Sequence, residues 1–305
     1  MPRSNLLPIF AKSKVGTFSD NFSAGLSSRW QFTNSAWTAS AGKAISTPTL
    51  GAELFANTTF AADTNWTKGT GWTIGSGAAT HASGTASNIT QNVGTVGDWY
   101  RVGFDITAAA TSWTTAVFGA TSNLGSLQYT TPQSVVSIGR QVTGASLGIR
   151  ANATTVSTVD NATAKKITLS DMFASISGFQ LSVRISAGVT IPTQDAPCGV
   201  VGWLDSHTSP ANFIICTHNG TNLRLTKCVA GVYTDLISTA ATYSAGAEVS
   251  VRGLISGSDL LLTAYYNGVQ ISTQQTVSDA GIVSNTRHGI FSTSSTNTIS
   301  RFTVR

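Results

Sequence analysis

The chain of 305 residues is long enough for two domains of ordinary size, and a hydrophobic content of 41% excludes a disordered chain. Only 10% of residues are charged, and 18 basic against 13 acidic residues leave a formal charge of +5. The basic residues are scattered rather than gathered in a stripe, which argues against nucleic-acid binding, and no run of about 18 apolar residues exists to cross a membrane.

Residues 1–16 read as an N-terminal arm. Pro2 and Pro8 disfavour helix there. Two readings stay open: a frayed terminus, or an assembly arm in which Leu6, Leu7, Ile9 and Phe10 dock on a neighbouring subunit. The second implies a homo-oligomer or a larger assembly. The apolar run is short and broken by Pro8, so it does not make a signal-peptide core.

From Thr17 onward the pattern is one of short strands and turns. Phe18, Phe22, Leu26, Trp30, Phe32 and Trp37 recur at intervals of two to five. Trp66 and Trp72 follow in turns rich in Gly and Thr. Strands are predicted over 86–93, 100–108, 113–120, 133–142 and 146–151. In the second of these, Tyr100, Val102, Phe104 and Ile106 share one face. Residues 169–176 read as the one helical turn, with Ser170 as its cap. Beyond it come two hairpins: Asn219-Gly220 joins 211–218 to 221–230, and Asn267-Gly268 joins 259–266 to 269–273. The chain closes on a strand at 299–304, and the whole is predicted to be all-β.

The chemistry-bearing residues are sparse. Cys198, Cys216 and Cys228 form no CxxC pair. A two-residue turn at Asn219-Gly220 sets Cys216 opposite Leu223 rather than Cys228, so free thiols and assembly in a reducing cytoplasm are expected. Glycoside hydrolysis needs two facing carboxylates; the chain has two glutamates, Glu53 and Glu248, and its aspartates fall mostly in turns. His81, His207, His218 and His288 are isolated, none at ligand spacing from another. Asp205-Ser206-His207 holds the residue types of a catalytic triad, but adjacent residues cannot supply its geometry.

Residues 51–166 resemble the carbohydrate-binding modules of the galactose-binding-like jelly-roll superfamily. The resemblance rests on Glu53-Leu54-Phe55-Ala56-Asn57-Thr58-Thr59-Phe60, Trp66, Gly71-Trp72-Thr73-Ile74, the strand Trp99 to Ile106, and Asp160-Asn161-Ala162-Thr163-Ala164. Residues 17–50 and 167–305 resemble a concanavalin A-like or laminin-G-like sandwich, through Ser19-Asp20-Asn21-Phe22, Leu262 to Val269 and Arg301-Phe302-Thr303-Val304. The expected architecture is therefore two β-sandwiches (jelly rolls), with 51–166 inserted into a discontinuous domain of 17–50 and 167–305. The nested pair looks like accessory structural proteins of tailed bacteriophages.

That resemblance implies a non-enzymatic virion protein: a head decoration or a tail or fibre component, assembled in the host cytoplasm and displayed on the virion surface. Its partners would be capsid or tail proteins and, weakly, host surface polysaccharide. A cell-surface glycan-binding adhesin and a glycan-degrading enzyme are the alternatives. The resemblance also implies a structural calcium held by Glu53 and Asp160, against the plainer reading of Asp160 as a turn cap. For sugar contact, Trp66 and Trp72 are the candidates for ring stacking, against core packing as the default for tryptophan.

Overall fold

The structure, a computed structural model, describes residues 16–34, 36–108, 114–119, 129–192 and 196–305. The proposed arm residues Leu6, Leu7, Ile9 and Phe10 lie outside the described residues. The fold is all-β, built on four antiparallel sheets.

Sheet I has eight strands in the order Trp37–Ser40, Lys43–Ser46, Thr298–Val304, Val183–Thr190, Ala247–Ser256, Asp259–Tyr266 and Val269–Val277, with Phe18–Asp20 also paired to Thr298–Val304. Sheet II runs Phe173–Ile176, Arg287–Ser292, Cys198–Leu204, Phe213–His218, Asn222–Val229, Val232–Ala240. Sheet III runs Gln133–Arg140, Trp99–Ala108, Ser157–Ile167, Ala78–His81, Trp72–Gly75, with Leu50–Glu53 on Ser157–Ile167. Sheet IV runs Thr114–Phe118, Ser146–Ala151, Ser87–Asn92, Thr67–Lys68. Every strand of sheets III and IV thus comes from residues 50–167, and every strand of sheets I and II from either side of them.

The neck between these two stretches is closed by hydrogen bonds. Thr168 N donates to Thr49 O (3.0 Å). Asp171, fully buried, accepts from Thr49 N (3.0 Å) and Thr33 Oγ1 (2.7 Å), while Ser46 Oγ donates to its carbonyl (3.1 Å). One carboxylate therefore satisfies donors from the outgoing segment at the point where the chain returns. The predicted helical turn is corrected here. A short 3₁₀ turn, Leu169–Met172, is capped by Thr168 without a side-chain bond, and Phe173–Ile176 is a strand. Pairing with Arg287–Ser292 satisfies its backbone instead.

Sheets III and IV enclose one core. The face read from alternation is its centre: Tyr100, Val102, Phe104 and Ile106 are buried beside Phe60, Phe118, Leu147 and Ile149. The opposite face of the same strand leads elsewhere. Trp99 packs with the core of sheets I and II, its ring 5.6 Å from Phe291, and its Nε1 donates to Tyr233 Oη (3.2 Å). The Arg140 guanidinium lies 4.4 Å from the Tyr233 ring centroid and pairs with Asp235 (3.4 Å). Burial lowers the Arg140 pKa against the pull of Asp235, and burial raises that of Tyr233.

Trp203 is the largest fully buried side chain among the described residues. It sits at a bulge with φ 49°, over Gly253, where any Cβ would overlap its ring. His288 Nδ1 accepts from Trp203 N (3.2 Å), so its proton is on Nε2, facing Gln180 O (3.4 Å). Burial pushes the His288 pKa down to about 4.

The Asn267-Gly268 hairpin forms as predicted, with both residues at positive φ (50° and 80°) between Tyr266 and Val269. The other is shifted. Asn219 N bonds Asn222 O (3.2 Å), Asn219 Oδ1 accepts from Asn222 N (2.8 Å), and the tip is Gly220-Thr221. Cys216 consequently faces Leu225, not Leu223. All three thiols are free and buried, and burial raises their pKa values to about 12 for Cys198 and Cys216 and about 11 for Cys228.

Two outcomes are expected. Asp171→Ala strands buried donors and should cost about 3 kcal/mol in denaturant unfolding, with Asp171→Asn milder because one acceptor is kept. His288 is held neutral, so its contribution is complete above its ordinary value of 6.5 and is lost as pH falls from there toward about 4. That shift corresponds to about 3 kcal/mol. His218 and His207 are shifted in the same direction, so stability measured across this window should fall on acidification.

Candidate functional site

Beyond Trp99 and Ile138, which pack with the core of sheets I and II, the outer face of sheet III carries Val136 and polar side chains. Period-two alternation puts Asp105 on this face, opposite in phase to the buried Tyr100–Ile106 set. Strand register brings Ser134 and Asp160 alongside Asp105 from its two neighbours. A bulge after Asp160 carries Asn161 at φ 52°, a left-handed position that Asn tolerates. The bulge aims Asn161 Nδ2 at Asp105 Oδ2 (2.8 Å), while Ser134 Oγ donates to Oδ1 (2.6 Å). These two donors hold the Asp105 carboxyl below the usual carboxylate range. Hydroxyls continue the face: Thr107 Oγ1 bonds Thr158 O (3.2 Å), and Thr80 and Thr158 hydroxyls lie 3.3 Å apart. The result is a fixed array of carboxylate, amide and hydroxyl groups, suited to vicinal hydroxyls of a ligand.

The residues singled out from sequence lie elsewhere. Trp66 and Trp72 are only 8% and 4% exposed, which corrects their assignment to ring stacking. Trp66 lies 4.8 Å from Phe55 and 4.9 Å from Phe60, and its Nε1 donates to Asn57 O (3.1 Å). Trp72 packs 5.1 Å from His81 and donates to Ser87 O (3.3 Å). Each indole buries its apolar rings and gives its one donor to a carbonyl, so nothing is gained by exposure.

Glu53 and Asp160 are not brought together. Glu53 lies opposite Lys165 on the Ser157–Ile167 strand, five positions beyond Asp160 and roughly 15 Å away along it. Glu53 Oε1 accepts three backbone N–H groups, from Leu54, Phe55 and Ala164 (3.2, 3.0 and 2.7 Å). Asp160 Oδ1 accepts from Asn161 N (2.7 Å), the turn-capping role. Among the described residues, no group of three or more His, Cys, Asp or Glu side chains could hold a metal ion.

Glu248, the other glutamate, is held by Arg184 (3.3 Å) and Arg301 (3.7 Å). In Asp205-Ser206-His207 the carboxylate caps its own loop, receiving Ser206 N, Ala211 N and Asn212 N (2.7, 3.1 and 2.8 Å). The Ser206 hydroxyl meets Thr208 Oγ1 (3.2 Å). What sequence reasoning missed is Asp105 with Asn161 and Ser134. The alternation of the 100–106 strand was a sufficient signal for the face of Asp105, but its partners follow from register.

No family model and no curated protein matches the chain. Among solved structures, a mutant GH43 protein from Bacillus licheniformis is similar at 14% identity, TM-score 0.33, over 43% of this chain and 29% of that one. A xylan β-1,4-xylosidase from Bacillus halodurans follows at 13%, TM-score 0.32, over 43% and 29%. Sheep galectin-11 in complex with glycerol matches at 10%, TM-score 0.31, over 43% of this chain and 94% of that one. The chain thus spans 29% of the length of the two Bacillus proteins. A likeness this slight carries no argument about activity.

Trp66→Ala should behave as a core truncation, costing about 4 kcal/mol in thermal or denaturant unfolding. Asp105→Ala, on the surface, should change stability by less than about 1 kcal/mol.

Proposed function

We propose that this chain is a non-enzymatic structural protein of a tailed-bacteriophage particle that touches host surface polysaccharide weakly and in many copies. The virion role rests on the resemblance of 51–166 and of 17–50 with 167–305 to the two sandwich types. On this reading the discontinuous sandwich anchors the protein to capsid or tail partners and the inserted jelly roll carries the contact face. The observation that carries glycan contact is the Asp105–Asn161–Ser134 array, rigidly bonded and open to solvent. Both glutamates are engaged elsewhere, one by three peptide N–H groups and one by two arginines, which favours binding over hydrolysis.

An array without a stacking ring supports only weak single-site affinity, so useful adhesion would come from copy number. The test is multivalent display of the full chain on beads, read against bacterial surface polysaccharides on a glycan array. Retention of a polysaccharide, reduced about tenfold or more by Asp105→Ala and by Asn161→Ala, is the expected result. Retention unchanged by both substitutions, or none on any polysaccharide, would overturn the reading.

A further inference from the structure

Sheet II ends in the Val232–Ala240 strand, whose outer edge has no neighbouring strand among the described residues. At the end of that strand lies an open cleft of about 470 Å³, lined by Gly220, Thr221, Ala240, Ala241, Thr242 and Tyr243. It lies on a different sandwich from the Asp105 face.

The wall of this cleft is fixed. Tyr243 Oη accepts from Ile191 N (2.7 Å), which ties the 241–246 loop to the end of the Val183–Thr190 strand. The Tyr243 ring lies 5.5 Å from His218, which stacks on Tyr266 at 5.0 Å and 28°. Tyr266 Oη accepts from Ser244 N (2.9 Å), pinning the same loop a second time. His218 Nδ1 accepts from Gly220 N (2.9 Å), so Nε2 carries the proton and donates to Ala241 O (3.0 Å). Burial lowers the His218 pKa, in keeping with a neutral ring that serves the loop. The cleft therefore needs no ordering when a ligand enters.

Its chemistry selects the ligand. No lining side chain is charged, so an ionic ligand would find no counter-charge. One aromatic ring and two alanines supply an apolar surface, and two threonine hydroxyls line it, that of Thr221 already donating to Asn219 Oδ1 (3.0 Å) and so left as an acceptor. A neutral, polyhydroxylated ring with an apolar C–H face matches both halves.

We infer that the Tyr243 cleft is a second carbohydrate subsite, taking a neutral pyranose whose C–H face lies against Tyr243 and whose hydroxyls reach Thr221 and Thr242. The inference shares only its ligand class with the proposed function and does not use the Asp105 face.

The test is a backbone amide chemical-shift titration of the full chain with methyl glycosides of glucose, galactose, N-acetylglucosamine and rhamnose, and with short oligomers of each. At least one is expected to shift Gly220, Thr221, Thr242 and Tyr243 together, saturating in the millimolar range. Tyr243→Ala should weaken it at least about tenfold. Because that variant loosens the loop, Ala240→Trp, which fills the cleft from the exposed strand end and leaves both tyrosine anchors intact, should abolish the shifts. Asp105→Ala should leave them unchanged even where bead retention is lost. Absence of cleft shifts with every saccharide, shifts that survive Ala240→Trp, or shifts lost in Asp105→Ala would each overturn the inference.

Discussion

The rest of the structure depends on the closed neck at Thr49, Thr168 and Asp171. One polypeptide can complete two sandwiches only if the points where it leaves and re-enters the first lie side by side. The backbone bond from Thr168 to Thr49, continuous with the pairing of Leu50 to Ile167, sets that distance, and the buried carboxylate of Asp171 locks it by accepting from Thr33 and Thr49. A buried carboxylate is tolerable only because donors surround it. The same donors are what make the neck rigid.

From that neck the Trp99–Ala108 strand does three jobs through alternation alone. One face fills the core of sheets III and IV. The other face begins with Trp99, which enters the core of sheets I and II, and continues to Asp105, which meets solvent. The joint near Trp99 is charged as well as apolar: Arg140 stacks on Tyr233 and shares Asp235 with Arg224, 3.9 Å from it. Burial of Arg140 opposes the ion pair, so the joint draws its strength mainly from packing.

Low charge shapes the surface in the same way. With few carboxylates and amines available, Ser, Thr and Asn carry most of the side-chain hydrogen bonding, and both proposed ligand sites draw polar groups from them. Such surfaces suit neutral hydroxylated ligands and give weak individual contacts, an arrangement that works through repetition.

The sequence by itself determined the all-β class, the Asn267-Gly268 hairpin and the inward face of the 100–106 strand. Each follows from local dihedral preference or from the two-residue period, which residues express without knowing their partners. The tertiary structure alone decided the rest. Gly-rich turns do not say where an indole points, and Trp66 and Trp72 turned inward because Phe55, Phe60 and His81 stood ready to cover them. Asn219-Gly220 marked a turn, but the side-chain bond to Asn222 moved its tip by one residue and the facing pairs with it. Glu53 and Asp160 looked like partners until register placed them at different points of one strand. The same register set Asp105 between Ser134 and Asp160, with Asn161 swung in by the bulge. Which residues meet across strands is a non-local choice, fixed by how whole faces are buried.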